Sequence, residues 1–166
     1  MKNYYHVSSK ALEKNVMFRT REDFVAAMND VAMCSLRFDV QILCFCLMSN
    51  HVHFVLKGTY SECYAFIAEF KRICSLRMHI ANREFGGLRD VGVQFDLLDT
   101  LEYRENAIAY VLRNPLAARI IAMPYFYEWS SVSAYFRGGR PVNGLSLSQL
   151  SLRKRREVLR SRYDTM

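Results

Sequence analysis

A β-hairpin is predicted for the stretch Cys44-Phe45-Cys46-Leu47-Met48-Ser49-Asn50-His51-Val52-His53-Phe54-Val55-Leu56. Residues 38–48 are rich in strand-forming side chains, Ser49-Asn50 forms a polar turn, and residues 51–57 give the returning strand. Successive side chains of a strand point to opposite faces. We therefore expect the two imidazoles of His51 and His53 to share one face, while the residues between and after them enter a core.

Hydrophobic periodicity predicts the elements on either side of this hairpin. A strand is expected over residues 3–8, and a helix over 21–37 begins at a capping box formed by Thr20 and Asp23. The later elements are a helix over 61–85, an extended segment over 94–98, a helix from Thr100 to Asn114 that must stop near Pro115, and a terminal helix over 147–162.

The first six elements follow the order strand, helix, strand, strand, helix, strand. This order predicts a ferredoxin-like (RRM-like) α+β fold, in which helices pack on one face of an antiparallel sheet. The hairpin is expected in the middle of that sheet, and its open face is expected to accept a ligand. The helix that contains residues 100–114 is an addition to the basic pattern.

Composition indicates one globular domain. The chain has 166 residues, of which 51% are apolar, and no apolar run approaches the roughly 20 residues that span a bilayer. The five cysteines form no C-x-x-C pair, so small buried hydrophobic residues are a better interpretation than a metal site, even for Cys44 and Cys46 on one strand face. Reduced thiols and the lack of an export signal predict a cytoplasmic location.

Positive charge is concentrated near the end of the chain. Residues 153–162 carry six positive charges and one negative charge, which accounts for five of the net seven positive charges. Such a stripe suits a polyanion such as nucleic acid, although a solvated terminal helix explains it equally well. The members that we predict to contact DNA are Arg153, Lys154, Arg155 and Arg156.

The helix after Thr100 carries a polar stripe formed by Tyr103, Asn106, Tyr110 and Asn114. These positions lie on one helix face, and Tyr110 and Asn114 are neighbours one turn apart. A helix–sheet interface lined with tyrosines would give the same pattern. Together with the histidine pair, however, the stripe favours a catalytic site.

Two imidazoles and an amide oxygen give an incomplete octahedron around Mg²⁺ or Mn²⁺, with positions left for phosphate oxygens. An ion held by His51, His53 and Asn114 polarises a scissile phosphate, and Tyr110 is placed to attack that phosphate. A phenol has a pKa of about 10, so it needs the ion or a nearby base to lose its proton. The expected product is a phosphotyrosyl DNA intermediate.

Three motifs of this chain resemble the single-tyrosine HUH transposases, which are the insertion sequence 200-type group and especially the REP-associated tyrosine transposases. The motifs are Met48-Ser49-Asn50-His51-Val52-His53-Phe54-Val55-Leu56, Tyr110-Val111-Leu112-Arg113-Asn114-Pro115-Leu116-Ala117-Ala118 and Trp129-Ser130-Ser131. The likeness runs from Tyr4 to Tyr135. Two departures are Ser49, where many members have proline, and Leu112-Arg113, which replaces a commoner pair that contains histidine.

The resemblance implies a metal-dependent enzyme of a mobile element, which nicks and rejoins single-stranded DNA at hairpins through a 5′-phosphotyrosine in DNA transposition. In this pattern Tyr110 is the nucleophile, His51 and His53 are the metal pair, and Asn114 is the third ligand. The cofactor is Mg²⁺ or Mn²⁺, the partner is single-stranded or hairpin DNA, and both monomers and homodimers occur in the family. Residues 1–140 would form the nuclease domain and 141–166 a basic segment that includes a helix.

Other polar residues are weaker candidates. Lys71, Arg72 and Arg77 are predicted to contact DNA phosphates, and a solvated helix face is the alternative. His6 lacks a partner at ligand spacing, so a structural role is favoured, while Tyr103 is a candidate auxiliary nucleophile. The competing functions are an inactive or domesticated relative that binds structured DNA without cleavage, and a ferredoxin-like RNA-binding module.

Overall fold

The computed structural model describes residues 1–10, 16–81, 92–133 and 151–160. Within these ranges, four strands form one sheet, and four α-helices and a 3₁₀ helix at Pro124–Phe126 surround it. The strands and helices are β1 (Asn3–Lys10), α1 (Arg21–Arg37), β2 (Gln41–Leu47), β3 (His51–Gly58), α2 (Tyr60–Ile80), β4 (Val93–Leu97), α3 (Leu101–Ala117) and α4 (Leu152–Leu159).

The sheet has the strand order β2-β3-β1-β4, and every neighbouring pair is antiparallel. The ferredoxin-like prediction is therefore confirmed. The prediction of a central hairpin holds for β3 alone, because β1 pairs with β3 and leaves β2 at an edge. This order also sets β1 between the histidine strand and β4, so that Ser8 lies opposite both His53 and Gln94.

The core lies between the sheet and the pair α1 and α2. Phe54 of β3 packs edge-on against Phe66 and Phe70 of α2, with ring centroids 5.3 and 5.5 Å apart. All three phenylalanines are fully buried. Since Phe54 and His53 are adjacent in a strand, their side chains point to opposite faces. The histidine face is thus free of α1 and α2, and α3 packs over part of it, on β2 and β3.

Helix starts follow local capping chemistry. The side chains of Thr20 and Asp23 cap α1 reciprocally, as predicted. Thr59 and Glu62 form a second capping box, which starts α2 at Tyr60 instead of residue 61. Helix α2 ends at Ile80, and the predicted continuation over 82–85 lies outside the described residues.

The prediction that α3 runs only to Asn114 is wrong. The helix continues to Ala117, and Pro115 and Leu116 are buried. Proline costs a helix the hydrogen bond of its missing N–H, but carbonyls further along remain usable. The carbonyl of Asn114 accepts from the N–H of Ala118 at 2.9 Å, and that of Pro115 accepts from Ile120 at 3.0 Å. Burial and these bonds extend the helix past the proline.

The motif Trp129-Ser130-Ser131 covers the edge of the sheet at β2. The N–H of Phe45 donates to the Ser131 hydroxyl at 2.9 Å, and the N–H of Ser131 donates to the Phe45 carbonyl at 3.0 Å. The N–H of Leu47 donates to the Trp129 carbonyl at 2.8 Å. The segment therefore satisfies polar groups that an edge strand would otherwise expose.

The basic terminal helix is shorter than predicted. Helix α4 spans Leu152–Leu159, with Ser151 and Arg160 as its caps, and the predicted positions 147–150 and 161–162 lie outside the described residues. Across the ranges that the structure describes, no helix has the length and apolar character needed to cross a bilayer.

Candidate functional site

The two histidines of β3 point from the sheet towards α3. The carbonyl of His51 accepts a hydrogen bond from the N–H of Met48 at 2.8 Å, which closes the turn and starts the strand. The His53 side chain belongs to a residue only 2% exposed, whereas His51 is half-buried. The predicted orientation of the pair is therefore present, with one imidazole at the bottom of the site and one at its rim.

Helix α3 brings Asn114 to both imidazoles. Asn114 Oδ1 lies 2.9 Å from His51 Nε2, and Asn114 Nδ2 lies 3.4 Å from His53 Nε2. His51 Nδ1 lies 2.6 Å from Asn50 Oδ1, an atom that only accepts, so Nδ1 donates there. In neutral His51 the other nitrogen, Nε2, then carries a lone pair directed at the amide oxygen of Asn114.

These donors fit a small divalent cation. Two acceptor atoms, His51 Nε2 and Asn114 Oδ1, face each other across 2.9 Å, an arrangement that a cation between or beside them stabilises. Cis ligands about 2.1 Å from an octahedral ion are about 3 Å apart, which matches this separation. Within the described ranges, no group of three or more His, Cys, Asp and Glu side chains is placed to hold a metal ion, and the third candidate donor beside the two histidines is the Asn114 amide.

Tyr110 stands over the same site from α3. Its ring meets the His53 ring edge-on with centroids 5.5 Å apart, and the His6 ring with centroids 5.8 Å apart. The residue remains 52% exposed, so a polynucleotide has access to it. The predicted nucleophile Tyr110 thus meets His53 and His51, which lie 57 and 59 residues before it in the chain.

The site also contains His6, which the sequence analysis placed outside it. His6 Nε2 lies 3.0 Å from His53 Nδ1, and the two rings stack with centroids 5.2 Å apart. On its other side, His6 Nδ1 lies 3.4 Å from Asp96 Oδ2. Burial lowers the pKa of His6, and the Asp96 carboxylate opposes that shift. In the sequence, the alternation of β1 indicates only which sheet face His6 lies on. That this face adjoins His53 follows from the strand order, which the sequence pattern did not give.

A cleft of about 380 Å³ opens beside Tyr110 between α3 and the strands β1, β3 and β4. Its lining includes Tyr103 and Asn106, the other members of the predicted stripe. The stripe therefore faces open space above the sheet. Tyr103 is 50% exposed and shares the cleft with Tyr110.

The basic helix α4 packs on α3. Arg113 of α3 donates to the carbonyls of Glu157 and Arg160, the latter at 3.0 Å, and Val158 is fully buried. Arg153 and Arg156 are exposed, while Lys154 and Arg155 are half-buried and Lys154 pairs with Glu157 at 2.8 Å. The predicted DNA-contacting residues of this segment are thus carried by the helix that adjoins the tyrosine helix.

The predicted contacts on α2 lie on the opposite face of the sheet from Tyr110. Arg77 forms two hydrogen bonds of 2.7 Å with the buried carboxylate of Asp30. Arg72 pairs with Glu69 at 2.7 Å, and Lys71 is 7% exposed. The structure does not bring these three cations to the histidine site.

Comparison with known proteins gives a likeness of fold. No protein-family model matches the chain, and no curated protein matches it by sequence. Among solved structures, a REP-associated tyrosine transposase bound to a REP hairpin is similar, with a TM-score of 0.59 and 10% sequence identity. The match covers 87% of this chain and 86% of that one. At this identity, the comparison establishes the α+β fold alone.

Proposed function

We propose that the chain is a metal-dependent endonuclease and strand transferase that nicks and rejoins single-stranded DNA at hairpins, in DNA transposition. One observation carries the proposal: Tyr110 and the donor set His51, His53 and Asn114 converge at one accessible site. Packing alone would not require an exposed phenol beside an amide wedged between two imidazoles. The likeness to a transposase bound to hairpin DNA supports the choice of substrate.

The proposed reaction is a transfer of the phosphodiester to tyrosine. Tyr110 Oη attacks phosphorus, the bond from phosphorus to the 3′ oxygen breaks, and the phenol proton leaves to solvent or to the departing oxygen. The products are a 5′-phosphotyrosine and a free 3′-hydroxyl. In the reverse sense, a 3′-hydroxyl attacks the phosphotyrosine and releases Tyr110, so the backbone is rejoined without another energy source.

His51 Nε2, His53 Nε2 and Asn114 Oδ1 would hold Mg²⁺ or Mn²⁺. When bound, the ion supplies Lewis acidity that withdraws charge from the phosphate and favours the phenolate. The chain contributes orientation: Asn50 fixes His51 and His6 holds His53, while the α3 backbone sets Tyr110 one helical turn before Asn114. The cations of α4 would hold the DNA backbone next to the cleft.

Covalent trapping tests this function. Labelled hairpin oligonucleotide, Mn²⁺ and protein should give an adduct that survives SDS, and Tyr110→Phe should abolish it. Tyr103→Phe is the matched control, because this second half-exposed tyrosine lines the same cleft. An adduct at full yield in Tyr110→Phe would refute the nucleophile assignment. Tight hairpin binding by the wild type without any adduct would establish the non-cleaving alternative instead.

A further inference from the structure

We infer that the cleft beside Tyr110 binds a single unpaired nucleobase, and that its floor selects guanine. This inference rests on the proposed function, which brings single-stranded DNA to Tyr110. It goes further by naming the base of that strand that the cleft recognises. The cleft holds about 380 Å³, which is more than one nucleobase occupies. It lies beside the tyrosine that would receive the phosphate, so a base next to the nicked bond can reach it.

The wall of the cleft suits the flat faces of a base. Tyr103 and Tyr110 are 50% and 52% exposed and line the cleft from α3. Ala107 and Leu98, which are 7% and 2% exposed, add apolar surface between the helix and the sheet. Base stacking on aromatic side chains is worth about 1–3 kcal/mol per base and needs a base that has left a duplex. This wall therefore favours single-stranded substrate.

The floor of the cleft is rich in hydrogen-bond acceptors. Gln94 and Asp96 project from β4 on the same face, two residues apart. Gln94 Nε2 donates to both carboxylate oxygens of Asp96, at 3.0 and 3.3 Å. Because the amide nitrogen is used in this way, Gln94 Oε1 remains as a further acceptor. An ionised carboxylate accepts only, and its two oxygens have about four lone-pair positions in all.

This acceptor-rich floor is unsuited to a phosphate, because the Asp96 carboxylate would repel it. The Asp96 side chain is 35% exposed, so it is open to a ligand. The floor is suited to the edge of a nucleobase that carries adjacent N–H donors. Guanine presents N1–H and the 2-amino group side by side, which match two carboxylate oxygens. Adenine and cytosine place a ring acceptor next to their single amino group, and thymine flanks its one N–H with two carbonyls.

Ser8 and Asn106 also line the cleft, and their side chains can both donate and accept hydrogen bonds. Ser8 lies opposite Gln94 in the sheet, and Asn106 lies one helical turn before Tyr110. Either group can donate to the O6 atom of guanine, the one acceptor on that edge that the floor itself cannot satisfy. A site built from such groups discriminates between bases, since a base without the matching donors covers these acceptors and leaves them unpaired.

Binding of short single strands tests this inference separately from catalysis. The probes are fluorescent ten-nucleotide oligothymidylates with one central thymine replaced by guanine, adenine, cytosine, inosine or an abasic site. The protein carries Tyr110→Phe and the buffer contains EDTA, so no strand is cut. The guanine probe should bind about tenfold or more tightly than the thymine, adenine and cytosine probes, and the abasic probe should bind weakest.

Inosine is the decisive probe, because it differs from guanine by the lack of the 2-amino group. The inosine probe should lose most of the affinity that guanine adds over thymine. Asp96→Asn should abolish the guanine preference, whereas Asp99→Asn, at an exposed position outside the lining, should keep it. Equal affinity for guanine and thymine, or for guanine and inosine, overturns the inference even if Asp96→Asn does not fold. Guanine preference without covalent trapping would instead count against the nuclease proposal alone.

Discussion

His6 illustrates how one side chain can hold another in a productive orientation. In neutral His53, an Nδ1–H that donates to His6 Nε2 leaves the Nε2 lone pair towards Asn114. The same chain of bonds lets His6 Nδ1–H donate towards Asp96. Groups that orient metal-binding histidines in this way fix the tautomer and the ring. His6 is therefore a positioning residue in the proposed site, not a ligand.

Replacement of His6 should weaken metal binding. His6→Phe keeps an aromatic ring against His53 but cannot accept its proton, so we expect Mn²⁺ affinity to fall about tenfold. Isothermal titration calorimetry with Mn²⁺ and no DNA measures this change. His79→Phe is the control, since His79 is an exposed histidine on α2. Unchanged affinity in His6→Phe would mean that His53 does not depend on this contact.

At the scale of single elements, the two capping boxes make a local contribution to stability. The hydroxyl of Thr59 accepts from the N–H of Glu62 at 3.3 Å, and the Glu62 carboxylate accepts from the Thr59 N–H at 3.2 Å. Thr59→Ala removes the first of these bonds and should lower the free energy of unfolding by about 1 kcal/mol. Urea unfolding of the variant and the wild type measures this difference in the free energy of unfolding. Thr59→Ser keeps the hydroxyl and should retain most of the stability.

Helix α4 depends on α3 through Arg113. The Arg113 guanidinium donates to carbonyls at the end of α4, where the helix leaves such groups without internal partners. Arg113→Met should detach the helix, because the backbone carbonyls would lose these donors. We expect faster hydrogen exchange in residues 152–159 and weaker hairpin binding. Arg19→Met, an exposed change outside α3 and α4, should alter neither.

Helix α3 also shows how a sequence rule can fail within one element. Proline predicted an end at Asn114, but the helix runs to Ala117 because Pro115 and Leu116 are buried. The error did not affect the site, since Tyr110 and Asn114 precede the proline and keep their helical spacing. Their one-turn relation was predictable because it depends only on helix geometry.

At the scale of the whole molecule, the sandwich buries all five cysteines. Burial raises the pKa of the Cys34 thiol to about 11 and that of Cys63 to about 12. The pKa values of Cys44, Cys46 and Cys74 are also raised, mainly by burial. Protonated, enclosed thiols should react slowly with Ellman's reagent at pH 8 and rapidly after unfolding. A fast-reacting native thiol would contradict this packing.

The same burial predicts a loss of stability in alkali. A raised pKa means that the folded state keeps its thiol protons after the unfolded chain has lost them, which begins near pH 9. Stability from this source is complete below that pH and falls as pH rises towards 11, by up to about 1.4 kcal/mol per unit for each thiol. Urea unfolding at pH 8, 9 and 10 measures the slope. Cys34→Ala should make it shallower, whereas Ser35→Ala at the next position should not.

Local patterns of the sequence determined the elements and half of the site. Alternation put His51 and His53 on one face, helical spacing aligned Tyr110 with Asn114, and Thr20 with Asp23 marked the start of α1. Each of these features depends on residues within a few positions, so neighbouring chemistry is enough to fix it. The ferredoxin-like order followed from the succession of these elements.

Only the tertiary structure decided which residues share the site. The strand order sets β1 between β3 and β4, which brings His6 to both His53 and Asp96 although they are 47 and 90 residues away. It also separates the cations of α2 from Tyr110, because α2 packs on the other face of the sheet. Such contacts arise when several elements bury their apolar faces together, and no single stretch of sequence encodes that outcome.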